Sequence, residues 1–497
     1  MLSTTPLLCA LSLVRVALFG TPATLDDRAT LGATPQVKAT CHRIAAAVSN
    51  ASEVFYPHSA QYISDITHTY ASSSELSTCS VEPGSAGDVS KILRILGSTR
   101  TPFAVKGGGH TTNPGFSSTR GVQISLARFD KVTVNSTART VELGAGLTWD
   151  QVYAALDPFG INVVGGRVRG VGVSGLTLGG GISFKSNKYG LSIDNVVSYE
   201  LVLPNGTITS VTSEDTDLWF GLRVGLNNFG IVTKFVVKSH PQTKVWGGIM
   251  FYSPNQLDAV KDALVKYQQK QDVNAALLVF LNYASGQMTS GSILFYDAPV
   301  PPKGLFEDFL AIPTTLKNVS TWSFPDLISI FNPLSPPPSS ARNYACGVPV
   351  TQYSPAVFDA FVNQTLLWGP RVVSLDKNAS VAAFFEPFDS SIFSHGSGSA
   401  YPPDRSQAIF QSVLGVTWTN ASIDGHIAPA LRQGKDAVQA VAVADGQNLS
   451  HAAVYVNYAM FGTPPEEIYG QNVPRLRRIR AAIDPKDVMG LTGGLKF

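Results

Sequence analysis

Apolar positions along this chain recur with two periods, and the switches between them mark its elements. From Val81 to Leu96, V-E-P-G-S-A-G-D-V-S-K-I-L-R-I-L, a Pro-Gly turn precedes Val89, Ile92, Leu93 and Leu96, which share one helix face. The apolar run after it, Thr101 to Lys106, reads as a strand, and further strands are expected at Val122–Leu126, Val132–Val134 and Thr140–Leu143. Thr148 with Gln151 three positions on has the form of a capping box and starts a helix. Asn195–Leu203 reads as a strand, Asn205-Gly206 as a hairpin turn and Ile208–Val211 as the returning strand, followed by a strand at Ile231–Val237. His240-Pro241 marks a boundary. From Val245, strands at Ile249–Tyr252, Ala276–Tyr283 and Ser292–Tyr296 alternate with helices such as Leu257–Gln269, the pattern of an antiparallel sheet backed by helices. Before Cys79 only Cys41–Val48 is amphipathic, and the Pro/Ser-rich stretch Asn332–Ala341 is expected to form a surface loop or lid. Val473–Ile483 reads as a basic amphipathic helix stopped by Pro485. The predicted class is α+β, without internal repeats.

Composition narrows the function. With 497 residues and 44% apolar content the chain can bury a large core and form two or three domains. Charged residues make up 14% and the net charge is +2, which leaves no basic stripe for a phosphate backbone and argues against nucleic acid as a partner. Leu7 to Val14 has the length of a secretory h-region, and Arg15 interrupts it before it could anchor in a bilayer. Cleavage after Ala23 would leave small residues at the recognition positions, so a secreted protein without a membrane anchor is expected. Eight sequons, at Asn50, Asn135, Asn205, Asn318, Asn363, Asn378, Asn420 and Asn448, fit export as a glycoprotein. No metal-ligand motif, Walker loop or nucleophile elbow is present.

Three stretches carry the candidate chemistry. The first, T-P-F-A-V-K-G-G-G-H-T-T (Thr101–Thr112), ends a strand in three glycines and a histidine, a backbone that a ligand can approach closely. The second, G-G-R-V-R-G-V-G-V-S-G-L-T-L-G-G-G (Gly165–Gly181), holds Gly170, Gly172 and Gly175 in the G-x-G-x-x-G spacing, with Asp194 further on. A Rossmann fingerprint requires an unbroken helix after those glycines, and Leu176–Ser183 contains three more, so that assignment fails. Two glycine loops, Lys106–Thr111 and Gly172–Gly181, whose amides cradle a pyrophosphate, fit better. The third stretch, V-Y-V-N-Y (Val454–Tyr458), alternates so that as a strand it would put Tyr455 and Asn457 on one face and Tyr458 on the other.

Together these stretches resemble the flavin-dependent oxidases of the berberine bridge enzyme type, in the vanillyl-alcohol oxidase superfamily. The likeness covers roughly residues 70 to 243 and 450 to 497 and implies a two-lobed PCMH-type FAD-binding domain, a substrate domain and a C-terminal segment returning to the first domain. The expected division is a leader over 1–23, an N-terminal segment over 24–72, the FAD domain over 73–243, the substrate domain over 244–450 and the closing segment over 451–497. His110 matches the residue that bonds the flavin 8α-methyl, and a tether of that kind raises the flavin potential. Where some relatives carry a cysteine bonded to flavin C6 this chain has Val168, so a single covalent link is expected. Lys106, Gly107, Gly108, Gly109, Thr111, Gly172, Val173, Ser174, Gly175, Gly179, Gly180, Gly181 and Ile231 complete the implied FAD site, with Asn457 at the flavin edge. Tyr458 is the implied base, Tyr455 the alternative, and Tyr189 a second tyrosine that tunes the base through a hydrogen bond.

In an exported chain Cys9 leaves with the leader, and a Cys41–Cys79 bridge, a pair often carried by secreted relatives, would clamp the N-terminal segment and leave Cys346 a buried thiol. The expected activity is hydride removal from a C–OH or C–N centre of a small molecule, a carbohydrate or a secondary metabolite, with molecular oxygen as acceptor, by a monomer. An isomerase or cyclase without net redox chemistry, and a flavin-binding protein without catalysis, are the rivals.

Overall fold

The computed structural model describes residues 34–270, 272–331, 340–406 and 409–497. The expected leader over 1–23, with Cys9, and residues 332–339 of the expected lid lie outside them. The first sheet is small and joins β1 (Glu53–Phe55), β2 (Cys79–Glu82), β3 (Phe103–Lys106) and β4 (Val122–Ser125) in the order β1-β2-β4-β3. β4 pairs in parallel with both β2 and β3. Every residue of β2 and β4 is buried, as parallel strands covered on both faces require. The helix expected between β2 and β3 runs over Ala86–Thr99; Ser85 caps it by accepting from the Asp88 amide, and Val89, Ile92, Leu93 and Leu96 form its buried face.

A second sheet follows from β5 (Val132–Asn135), β6 (Thr140–Gly144), β8 (Val196–Val202), β9 (Ile208–Val211) and β10 (Ile231–Lys238), in the order β5-β6-β10-β8-β9 and antiparallel throughout. The β8–β9 hairpin turns at Gly206, whose φ of 83° a side chain would resist. The capping box forms as expected on the helix Trp149–Leu156, with Gln151 receiving the Thr148 amide. His240-Pro241 makes a two-residue strand, β11, paired with β7 (Ile161–Asn162).

The third sheet begins at Val245 and has seven strands in the order β15-β12-β14-β13-β17-β18-β16: β12 (Val245–Tyr252), β13 (Ala275–Ala284), β14 (Gln287–Tyr296), β15 (Thr314–Trp322), β16 (Arg342–Val350), β17 (Ser380–Phe385) and β18 (Phe410–Trp418). All its pairings are antiparallel. Alternation sorts its two faces. Met250, Val279, Leu281 and Leu294 pack with the helices Leu257–Tyr267, Pro355–Leu375 and Asp424–Ala444, while Ile249, Phe280, Ile293 and Phe295 join the core of the first two sheets. The third sheet therefore packs one face on the first two sheets and the other on its own helices.

The C-terminal segment returns to the beginning. The helix Val473–Ile483 forms with the expected bounds. Beyond it Thr492 bridges in parallel to Phe103, and Asn228 Nδ2 donates to the Leu495 carbonyl at 2.8 Å.

Cys41, in the helix Pro35–Ala47, is bonded to Cys79 at the start of β2, and Cys346 is a buried free thiol. The bridge spans 38 residues, so replacing both cysteines by alanine should cost about 2–5 kcal/mol of stability. Denaturant titration of the variant checks the magnitude. Peptide mapping under non-reducing conditions should recover Cys41 joined to Cys79, with Cys346 alkylated only after unfolding.

Candidate active site

The loop after β3 and the loop before the short helix Val173–Leu178 pass each other backbone to backbone. A Cβ on Gly108 would lie 2.5 Å from the Gly172 nitrogen, one on Gly172 2.4 Å from the Gly108 nitrogen, and one on Gly107 2.3 Å from Ser174 Oγ. Only glycine permits this approach. On the outer side the Gly109 carbonyl accepts from the Thr69 amide at 3.0 Å and the Thr111 carbonyl from Ser73 Oγ at 2.8 Å. The amides of Gly108, Gly109, His110 and Thr111 donate to no acceptor among the described residues. Those of Ser174 and Gly175, in the first turn of their helix, have no intrahelical partner either.

Between the loops lies a cavity of about 390 Å³, within the range of ligand pockets. Gly107, Gly108, Gly109, His110, Thr111, Gly172, Ser174, Gly175, Ile231, Tyr455, Asn457 and Tyr458 line it, with Val168 on its wall. Burial lowers the pKa of His110 and favours the neutral imidazole, which Tyr70 meets edge-on at 6.3 Å. A strip of unspent amides along a mostly apolar cavity suits a ligand with phosphate oxygens at one end and a flat apolar body at the other. FAD has that chemistry, and the residues present fit it.

Other expected members stand behind the wall. Lys106 does not face the cavity: Nζ donates to the Ser64 and Thr67 carbonyls at 2.7 and 2.9 Å, and burial brings its pKa down to about 8. Val173 is fully buried and its amide bonds to the Leu147 carbonyl. Gly179, Gly180 and Gly181 form a support rather than a lining. A Cβ on Gly179 would lie 2.0 Å from Asn457 Oδ1, and the Gly181 and Ile182 amides donate to the Tyr455 hydroxyl at 2.8 and 2.9 Å.

The strand expected at Val454–Tyr458 is not formed. Val456–Tyr458 is one 3₁₀ turn with Tyr455 as its N-cap, and in that geometry residues three apart come to the same side. The Tyr455 and Tyr458 rings accordingly meet edge to face at 4.9 Å instead of lying on opposite faces. Tyr455 is a poor candidate for a base, because its oxygen already accepts from Gly181, Ile182 and, at 2.9 Å, Asn457 Nδ2.

The Tyr458 hydroxyl has two partners that the sequence pattern did not single out. It donates to Glu386 Oε1 at 2.8 Å and accepts from Arg167 Nη2 at 2.8 Å, while Arg167 and Glu386 themselves pair at 2.8 Å. Arg167 belongs to the second glycine cluster, Glu386 follows β17 of the third sheet, and Tyr458 lies in the returning segment. Burial raises the Tyr458 pKa well above its ordinary value and Glu386 raises it further, while Arg167 opposes both. Tyr189 is not part of this group. It stacks on His240 with ring centroids 3.8 Å apart, and the Lys188 cation lies 5.3 Å from its centroid, in the seam where Lys188 reaches Asp297 at 3.2 Å. Glu386 could have been noticed as a lone carboxylate in the apolar run V-A-A-F-F-E-P, and Arg167 as a charge between glycines.

Residues 77–212 match a family model described as FAD binding domain, and residues 454–493 match one described as berberine and berberine like. An FAD-linked oxidoreductase of Arthroderma benhamiae is 38% identical over 254 residues, 50% of this chain and 51% of that protein. An FAD-dependent monooxygenase of Fusarium proliferatum is 31% identical over 430 residues, 82% of each. Among solved structures, 6-hydroxy-D-nicotine oxidase from Arthrobacter nicotinovorans superposes with a TM-score of 0.74 at 19% identity, covering 90% of this chain and 98% of that one, a likeness of fold.

Proposed function

Because this chain belongs to the berberine bridge enzyme-like family of FAD-dependent oxidoreductases, we propose that it oxidises a C–OH or C–N centre of a small molecule with molecular oxygen as acceptor. Bound in the cavity, FAD would supply the hydride acceptor and the route of electrons to oxygen. The loops at Gly107–Thr111 and Gly172–Gly175 would hold its phosphates, and His110 would tether its ring.

Proton handling falls to this chain. The Tyr458 oxygen has one donor and two acceptor positions; Glu386 takes the donor and Arg167 one acceptor, leaving a lone pair for the proton of a substrate hydroxyl. As Tyr458 accepts that proton its own can pass to Glu386, so no free tyrosinate is needed and the raised pKa does not obstruct the step. The observation that carries the proposal is this hydrogen-bonded ring of Tyr458, Glu386 and Arg167, of which Tyr458 and Arg167 line the cavity together with His110. Oxygen consumption during a screen of alcohols, amines and oligosaccharides tests it. Conversion of a substrate without oxygen uptake would favour the isomerase or cyclase instead.

Two further observations support an exported protein. One is the Cys41–Cys79 bridge, and the other is that all eight sequon asparagines are exposed, so none would have to leave the core to accept a glycan. Gly172→Ala should purify without bound flavin, because the added methyl must separate the two loops by more than a side-chain adjustment allows. The visible absorbance of the purified variant checks this; a yellow protein with native flavin content would contradict the cradle.

A further inference from the structure

Arg167 is the only Lys, Arg, Asp or Glu side chain among the described residues that line the cavity. Its side chain is 13% exposed, and Nη2 alone serves both Glu386 and Tyr458. Nε and Nη1 donate to no described residue, and neither is among the fully enclosed atoms that lack a partner. Three of the five N–H groups of the guanidinium therefore remain for a ligand. The guanidinium also compensates the Glu386 carboxylate, which is almost fully buried. The wall beside Tyr458 is thus neutral in sum and donor-rich.

We infer that Arg167 sets the substrate class of this site: it presents N–H donors to an oxygen next to the reacting carbon and, by cancelling the Glu386 charge, removes the attraction for an ammonium group. The inference rests on the proposed oxidation chemistry and decides between its two branches in favour of C–OH. An alcohol can donate its proton to Tyr458 while its oxygen, or a neighbouring carbonyl or hydroxyl oxygen, accepts from Nε or Nη1. A protonated amine offers donors only, and it would place a cation against a cation with no free carboxylate to offset it. Arg167 does not move a proton in this scheme. It binds and selects.

The direct experiment is titration calorimetry of the purified protein with benzyl alcohol and with benzylamine at neutral pH, where the amine is a cation of nearly the same shape. The native protein should bind the alcohol tighter by roughly tenfold to a hundredfold, the worth of a hydrogen bond to a charged group. Arg167→Gln leaves Glu386 uncompensated and should invert the order, whereas Arg167→Lys keeps the charge and should retain it. A purely structural role would weaken both probes alike and would not invert them. Glu386→Gln supplies a second measurement should Arg167→Gln fold poorly: the uncompensated guanidinium should then prefer benzoate to benzyl alcohol. Equal binding of the two probes to the native protein, preference for the ammonium, no binding of the alcohol, or an unchanged order in Arg167→Gln and Glu386→Gln would each overturn the inference. The visible spectrum of each sample separates the premises. A colourless native protein would sink the cofactor assignment, and the calorimetric order of the probes would still decide the role of Arg167.

Discussion

Tyr458→Phe should lower the rate of flavin reduction by roughly a hundredfold to ten-thousandfold, the usual worth of a positioned proton acceptor, while flavin content stays native. The variant loses one oxygen, and with it the bonds to Glu386 and Arg167 at 2.8 Å, but no packing of consequence. Binding should weaken less than turnover, because the hydroxyl acts mainly as charge develops in the transition state. The pH profile adds a separate criterion. Burial and Glu386 push the Tyr458 pKa upward, so the phenol stays protonated at every pH below its ordinary value near 10, and its ionisation should leave no limb in the neutral range. The two other tyrosines are controls with distinct outcomes. Tyr189→Phe should reduce its flavin at close to the native rate, since Tyr189 stacks on His240 and touches neither Tyr458 nor Glu386. Tyr455→Phe should lose stability or flavin content, because the buried amides of Gly181 and Ile182 would lose their shared acceptor at roughly 1–3 kcal/mol per orphaned group. Anaerobic stopped-flow reduction, with flavin absorbance measured on the same samples, distinguishes the three. A Tyr458→Phe enzyme that reduces at the native rate would end the assignment of this residue.

His110→Ala should change flavin retention from complete to none when the protein is precipitated with acid. The native pellet should stay yellow and fluoresce in a denaturing gel, and the supernatant of the variant should carry the colour. Peptide mapping of the native protein should find one flavin-linked peptide, containing His110, and none containing Val168. Both residues line the cavity, but only the imidazole offers a nucleophile, and burial keeps it in the neutral form that can act as one. A second modified peptide, or free flavin from the unaltered protein, would contradict the single link. If the link forms, its loss should also slow reduction, because the tether raises the flavin potential.

What could be read from the sequence was governed by neighbours. The helix face of Val89, Ile92, Leu93 and Leu96, the Thr148–Gln151 capping box, the Asn205-Gly206 hairpin and the helix Val473–Ile483 all rest on contacts within a few residues, and each forms as expected. The glycine loops were legible for a related reason. Three consecutive glycines have no use in a strand or helix, so their presence signals a backbone that something must approach. The Cys41–Cys79 pair followed from the family resemblance and from the few cysteines available, and the bridge is present.

Three features were decided only in three dimensions. Val454–Tyr458 has the composition of a strand, yet no strand among the described residues pairs with it: the Val454 amide bonds to the Glu467 carbonyl, the Tyr455 amide to Gln411 Oε1, and the Gly181 and Ile182 amides, 274 and 273 residues away along the chain, donate to the Tyr455 hydroxyl beside a 3₁₀ turn. Lys106 stands next to the glycine loop in sequence, but the Ser64 and Thr67 carbonyls draw its ammonium behind the wall, since a buried cation must find acceptors wherever they are offered. Arg167 and Glu386 are separated by 219 residues and Glu386 and Tyr458 by 72, so no local period could announce them. Sequence alone determined the helices, the hairpin and the glycine loops named above, because propensity, capping and turn chemistry act over one or two turns of chain. Which charges and hydroxyls share one wall was left to the tertiary structure, because hydrogen bonds between buried groups form only where folding brings distant segments together and removes the water that would otherwise satisfy them.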